Sequence, residues 1–241
     1  EFGAPYYFNL APNYDLTLTP QLLSRRGLGL EAQFRYLSEH SRGKIGSHFL
    51  PNDDLAGRDR SLSSLWHQTD FTDNLRLSAS IEHASDSQYF EDFGLGPDGT
   101  SVTFLDRYLS LAWLGRGWRF DGRVQDFQTI DVSVDPLSRP YSRLPQLGFT
   151  GAWPLAGSGL ITSLDAEATW FDRDVGTTGL RMDLMPQIAW PLRGPGYHLE
   201  PSAAYRMTSY RLSDLASGAD DARSRQAPIL SLDGGLVFER E

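Results

Sequence analysis

Leu75-Arg76-Leu77-Ser78-Ala79-Ser80-Ile81-Glu82 carries an apolar side chain at every odd position and a polar one at every even position. Successive side chains of an extended chain point to opposite sides, so this octet makes a strand with one apolar and one polar face. Thr72-Asp73-Asn74 just before it has turn composition, and a further strand-like run lies upstream at residues 62–71. The period of two returns at Leu28, Leu30, Ala32, Phe34 and Tyr36, opposed by Gly29, Glu31, Gln33 and Arg35. It returns again at Leu164, Ala166, Ala168 and Trp170, and at Leu180, Met182, Leu184, Ile188 and Trp190.

Strands are expected at residues 5–10, 14–23, 28–37, 45–50, 62–71, 75–83, 102–114, 118–130, 144–153, 159–171, 180–190, 197–210 and 229–239. That makes about twelve or thirteen. Short turns such as Gly115-Arg116-Gly117 alternate with long loops at residues 85–100, 131–143 and 213–225. Transmembrane barrels have this rhythm, with short turns on the periplasmic side and longer loops outside. Tyr14, Trp113, Trp118, Trp153, Trp170, Trp190, Tyr197 and Tyr210 crowd the strand ends, where rings with one wet and one greasy side suit the two interfaces of a bilayer. The fold class expected is all-β: an antiparallel outer-membrane transmembrane β-barrel, of which this chain supplies a part.

Composition narrows the function. The formal charge of -9 disfavours nucleic acid as a partner. Lys44 is the only lysine, beside 21 arginines, and there is no cysteine, so neither a disulfide nor a thiolate metal site exists within these residues. No run of about 18 apolar residues suggests a transmembrane helix. The pattern begins and ends in mid-course, as expected of a piece of a longer protein.

Catalytic chemistry has no motif to rest on. His40, His48, His67, His83 and His198 lack the spacing of a metal clamp, and no nucleophile elbow occurs. No catalytic residue, metal ligand or cofactor is expected. Asp53-Asp54 and Asp220-Asp221 are paired acids in loops, better read as solvated loop charge than as a cation site. Asp98-Gly99 is a turn signal. The polar face is the informative surface: Glu31, Gln33, Arg35, Arg76, Glu82, Asp121 and Arg123 are expected to face the lumen, where charge needs water or a polar plug.

Pro5, Pro12 and Pro20 interrupt or flank the first two strand runs. Proline has no N–H to give to a ladder, so these strands would zip weakly. If they lie at a barrel seam, the seam is a candidate lateral gate, with Pro5, Pro12 and Pro20 as its residues.

The stretch Pro5-Tyr6-Tyr7-Phe8-Asn9-Leu10-Ala11-Pro12-Asn13-Tyr14-Asp15-Leu16-Thr17-Leu18-Thr19-Pro20, with Arg25-Arg26-Gly27 and Glu31-Ala32-Gln33-Phe34-Arg35-Tyr36-Leu37 after it, resembles the start of the barrel in the LptD family of lipopolysaccharide-assembly proteins, also called organic solvent tolerance proteins. Tyr89-Phe90-Glu91-Asp92-Phe93, Pro145-Gln146-Leu147, His198-Leu199-Glu200-Pro201 and Val237-Phe238-Glu239-Arg240-Glu241 extend the similarity in order along the chain. The resemblance implies residues 1–241 to be the N-terminal half of a barrel of about 26 strands, without the periplasmic jellyroll domain or the later strands. It implies a location in the outer membrane of a Gram-negative bacterium, the lipoprotein LptE as plug, and the periplasmic bridge protein LptA docking through the absent jellyroll. Lipopolysaccharide would leave between the first and last strands into outer-membrane lipid, with Pro5 and Pro20 matching the family prolines of the gate. A general or substrate-specific porin is the rival within the membrane class, and a soluble all-β binding module the rival outside it.

Overall fold

The computed structural model describes residues 2–94, 101–215 and 220–238. The early strands are β1 (Phe2–Gly3), β2 (Tyr6–Ala11), β3 (Tyr14–Leu23), β4 (Gly27–Leu37), β5 (Ser41–Asp53), β6 (Arg58–Thr72) and β7 (Leu75–Ala84). A short helix, α1 (Tyr89–Phe93), precedes β8 (Phe104–Gly115) and β9 (Trp118–Thr129). Then come β10 (Ser142–Leu155), β11 (Leu160–Asp172), β12 (Thr178–Ala189), β13 (Leu192–Gly194), β14 (Tyr197–Ser213) and β15 (Ala222–Leu236). They form one 15-stranded antiparallel sheet in which β3 to β12 neighbour one another in chain order. β1 and β2 both pair with β3, and β13 and β15 both with β14.

The strand count exceeds the expected twelve or thirteen because two short pieces, β1 and β13, stand apart from their neighbours. Most boundaries lie beyond the expected ones: β5 reaches Asp53 and β15 begins at Ala222, inside a segment expected to be loop. Ladders run on into polar residues because backbone pairing does not need an apolar side chain. The expected turn at Asp98-Gly99 lies outside the described residues.

The chain divides into two compact units, residues 1–111 with 124–142, and residues 112–123 with 143–241. In the first, register sorts the side chains onto two faces. Leu16↔Phe34, Phe34↔Ile45, Ile45↔Leu65 and Leu65↔Ile81 make an apolar row. Asp15↔Arg35, Arg35↔Lys44, Lys44↔Trp66 and Trp66↔Ser80 make a row on the opposite face. Strand β6 breaks the alternation: Leu62 and Trp66 fall on the polar face and His67 on the apolar one. Each has a local reason. Leu62 packs under α1, and Trp66 has the Arg42 guanidinium 5.8 Å from its ring. His67 is hydrogen-bonded by Tyr36 and Thr69 on its own face. Tyr36 reaches it by lying across Gly43, where an added Cβ would sit inside the Tyr36 ring.

In the second unit, Glu167↔Asp183, Thr169↔Arg181 and Asp183↔Thr208 form the polar face, against Ala166↔Leu184, Ala168↔Met182 and Leu184↔Met207. Asp183 accepts from Arg206 Nε at 3.0 Å and Thr208 Oγ1 at 2.6 Å.

Candidate functional site: an interrupted seam and a buried ion cluster

Two features of the first unit stand out, and both lie toward the end of the sheet that carries the 24–26 turn and residues 85–94.

The first is the pairing of β1 and β2 with β3. Gly3 opposes Gln21 and Tyr6 opposes Leu18, so the two pieces share one register and read as a single strand broken at Ala4-Pro5. The cause sits across the ladder. Ala4 N–H donates to the Pro20 carbonyl at 3.1 Å, so the backbone groups of Pro20 point at Ala4. In an antiparallel hydrogen-bonded pair the return bond would come from the N–H of residue 20, and proline has none. By alternation the backbone of Pro5 points away from β3, so its missing donor falls on the opposite side of the same strand. Pro12 lies elsewhere, in the Pro12-Asn13 turn between β2 and β3. That turn is tied to β4, where Leu37 N–H donates to the Asn13 carbonyl at 2.8 Å and Asn13 Nδ2 donates to the Leu37 carbonyl at 2.9 Å. On its other side β3 pairs with β4 without a break from Tyr14↔Tyr36 to Leu23↔Gly27.

The second feature is a cluster of ion pairs. Arg60, 1% exposed, donates to both oxygens of Asp86 at 2.9 and 2.8 Å, to Asp53 at 3.4 Å and to Asp92. Arg26, in the turn after β3, donates to Asp53 at 2.7 Å and to Asp92 at 2.6 Å. Arg58 adds a contact to Asp86 at 3.3 Å. Asp53 also accepts from the backbone N–H groups of Leu55 and Ala56, which satisfies its second oxygen.

Asp53 is therefore not the solvated loop charge expected from its sequence context: it is fully buried. A bulge puts it there. The β5–β6 register shifts by one residue between Leu50↔Arg60 and Asp53↔Arg58, with Asn52 at a φ of 50°. The extra residue turns Asp53 onto the face of Arg60. Pro51 and Asn52 were the signal that could have found it, since both are poor ladder residues.

Segment 85–94 covers the cluster. Tyr89, Phe90 and Phe93 of α1 pack with Leu62, Ala84, Val102, Leu105 and Ile130. The Phe93 ring lies under both guanidiniums, 5.1 Å from Arg26 and 4.9 Å from Arg60, a cation–π arrangement. Burial pushes the Asp86 carboxyl up, but the hydrogen bonds of Arg60 and Ser85 and the charges of Arg60 and Arg58 outweigh it, and the net shift is down. Burial holds the Tyr89 hydroxyl in its protonated form well above the usual tyrosine range. With Arg26, Arg58 and Arg60 facing Asp53, Asp86 and Asp92, the cluster is balanced internally and offers a bound ion no surplus charge. It is a fastening rather than a ligand site.

Of the residues expected on the polar face, Glu31, Gln33, Arg35, Glu82 and Arg76 do share one face of the first unit. Arg35 pairs with Asp15 at 2.9 Å, and Arg76 with Asp70 at 2.5 Å. Asp121 and Arg123 share a face of β9, where Arg119 pairs with Asp121 at 2.6 Å. Sequence reasoning passed over Arg60 and Asp86 and met Arg26 and Tyr89 only within stretches that resemble the family, because a cluster drawn from separate segments leaves no local signal. Among the described residues no group of three or more His, Cys, Asp or Glu side chains is arranged to hold a metal ion.

The sequence profile of LptD, LPS transport system D, matches residues 58–241. The chain belongs to the LptD family. Among curated relatives, the LPS-assembly protein LptD of Nitrosococcus oceani is 40% identical over 240 residues, covering 99% of this chain and 32% of its own length. That of Alkalilimnicola ehrlichii is also 40% identical, over 245 residues, 100% of this chain and 32% of its own length. That of Bordetella pertussis is 34% identical over 259 residues, with the same shares. The chain thus spans about a third of the length of these relatives.

Proposed function

We propose that the whole protein assembles lipopolysaccharide into the outer leaflet of the outer membrane of a Gram-negative bacterium. This chain supplies the stretch of barrel wall that contains one side of a lateral gate. The observation that carries the reading is the gap in the ladder at Ala4-Pro20, in a chain whose relatives are named LPS-assembly proteins. Opening a strand pair costs its backbone bonds in a membrane that offers no substitute donors. The first strand lacks one bond to β3, at Pro20, and can give none from Pro5 to a strand on its other side, so it costs least to part. Pro12 holds the turn that joins the two strands of the hinge.

The polar face, with Glu31, Gln33, Arg35, Arg76, Glu82, Asp121 and Arg123, lines the lumen through which the saccharide passes. LptE as plug, LptA as the bridge that delivers through the jellyroll, and outer-membrane lipid as acceptor complete the pathway, which involves no covalent chemistry.

The test is Pro20→Val, alone and with Pro5→Val, in the intact protein. Restored pairing should reduce lipopolysaccharide reaching the cell surface several-fold, and unchanged delivery overturns the gate. A steady single-channel conductance from the intact protein in planar bilayers would favour a porin instead.

A further inference from the structure

The two features just described are joined. Gln21 follows Pro20 in β3, and its side chain turns across Gly29 to meet His48 of β5. His48 Nε2 lies 3.0 Å from Gln21 Oε1, and His48 Nδ1 is hydrogen-bonded to the Tyr89 hydroxyl. One tautomer satisfies both contacts: Nε2–H donates to the Gln21 oxygen, and Nδ1 accepts from the Tyr89 hydroxyl, which stays protonated. The pair passes beside Gly29, where a Cβ would lie in ordinary contact with it, 3.4 Å from His48 Nε2 and 3.6 Å from Gln21 Oε1. The far end of β3 is held as well, because Arg26 in the following turn grips Asp92 at 2.6 Å and lies over the Phe93 ring. Segment 85–94 therefore fastens β3 at two places, one on each side of Leu22-Leu23, and ties both to β5 and β6 through Asp53 and Arg60. No hydrogen bond or ion pair of the cluster reaches β1 or β2 among the described residues.

We propose that segment 85–94 is a brace that keeps β3 on the sheet, so that the leaf that swings at the interrupted seam is β1–β2 alone. Tyr89, Asp92 and Phe93 are its positioning residues, acting through His48–Gln21 and through Arg26. The inference rests on the gate reading above and adds to it which side of the seam stays fixed. The physical argument is one of unequal attachment. β3 is bound to β4 by an unbroken ladder and to α1 through His48 and Arg26, whereas β1–β2 is bound to β3 by a ladder that lacks a bond at Pro20.

The experiment is hydrogen–deuterium exchange on the intact protein in a lipid bilayer, comparing wild type with Tyr89→Phe, Asp92→Asn and Asp92→Glu. Loss of the brace should accelerate exchange of the amides at 21–27 about tenfold. The amides of β6 and β7 at 65–81 should exchange as in wild type, and Asp92→Glu, which keeps the carboxylate, should restore most of the protection. Unchanged exchange at 21–27, or an equal rise in both regions, overturns the brace. If Asp92→Asn fails to assemble, Tyr89→Phe, which removes a single hydroxyl, still decides the matter. Exchange is measured without lipopolysaccharide, so failure of the transport reading at Pro20 and failure of the brace give separate results.

Discussion

Arg60 and Arg35 lie on the same polar face, each paired with aspartate across strands, yet they do different work. Arg35 holds Asp15 with two bonds of 2.9 Å and remains 55% exposed. Arg60 holds Asp53, Asp86 and Asp92 and is 1% exposed. The chemistry of the pair is the same; the cover is different. An exposed pair loses in side-chain entropy and solvent screening most of what it gains in attraction. A covered cluster cannot be dismantled one member at a time, because each partner left behind is an unpaired charge away from water. The lesson is that α1, five residues long, converts an ordinary ion pair of the polar face into a fastening.

Breaking that contrast starts with Arg60→Met, which keeps the stem and removes the charge. It should destabilise the protein by about 3–5 kcal/mol in denaturant unfolding, since Asp86 loses its bidentate partner. Filling the seam comes next: Pro20→Val should leave the unfolding midpoint at or above wild type while reducing lipopolysaccharide delivery, the opposite pairing of effects from Arg60→Met. Tyr89→Phe should cost about 1 kcal/mol, the worth of one hydrogen bond, with its effect confined to the β3 end of the sheet. Arg35→Gln, on the exposed side of the comparison, should leave the midpoint where it was.

The pH dependence sharpens the same contrast. The folded state holds the Asp86 carboxyl below its usual range, so its contribution is complete above about pH 4, the ordinary aspartate value. It is lost only as pH falls further, through the lower folded value. Protease resistance of segment 85–94 should therefore persist from neutral pH to about pH 4 and fail below it. Failure already near pH 6 would mean that a histidine, not the carboxylate cluster, controls the segment.

The alternation of residues 75–82 was enough to place β7 and separate its faces, and that of residues 28–36 to put Glu31, Gln33 and Arg35 on one face of β4. Pro5 and Pro20 were legible as weak points, but not the side on which each lacks its donor. That came from the Ala4 to Pro20 hydrogen bond. The short helix at Tyr89–Phe93 left no periodic trace, because five residues are too few for a period of 3.6 to show.

What the sequence determined by itself is the strand character, the two-faced sheet and the family. All three follow from local alternation or from matching residues in order, and none needs a partner in space. Only the tertiary structure decided which polar residues are buried. Arg26, Asp53, Arg60, Asp86 and Asp92 come from four separate segments, and the bulge at Asn52 turns one of them onto the shared face. Burial is set by what covers a side chain, and α1 arrives from a segment expected to be loop.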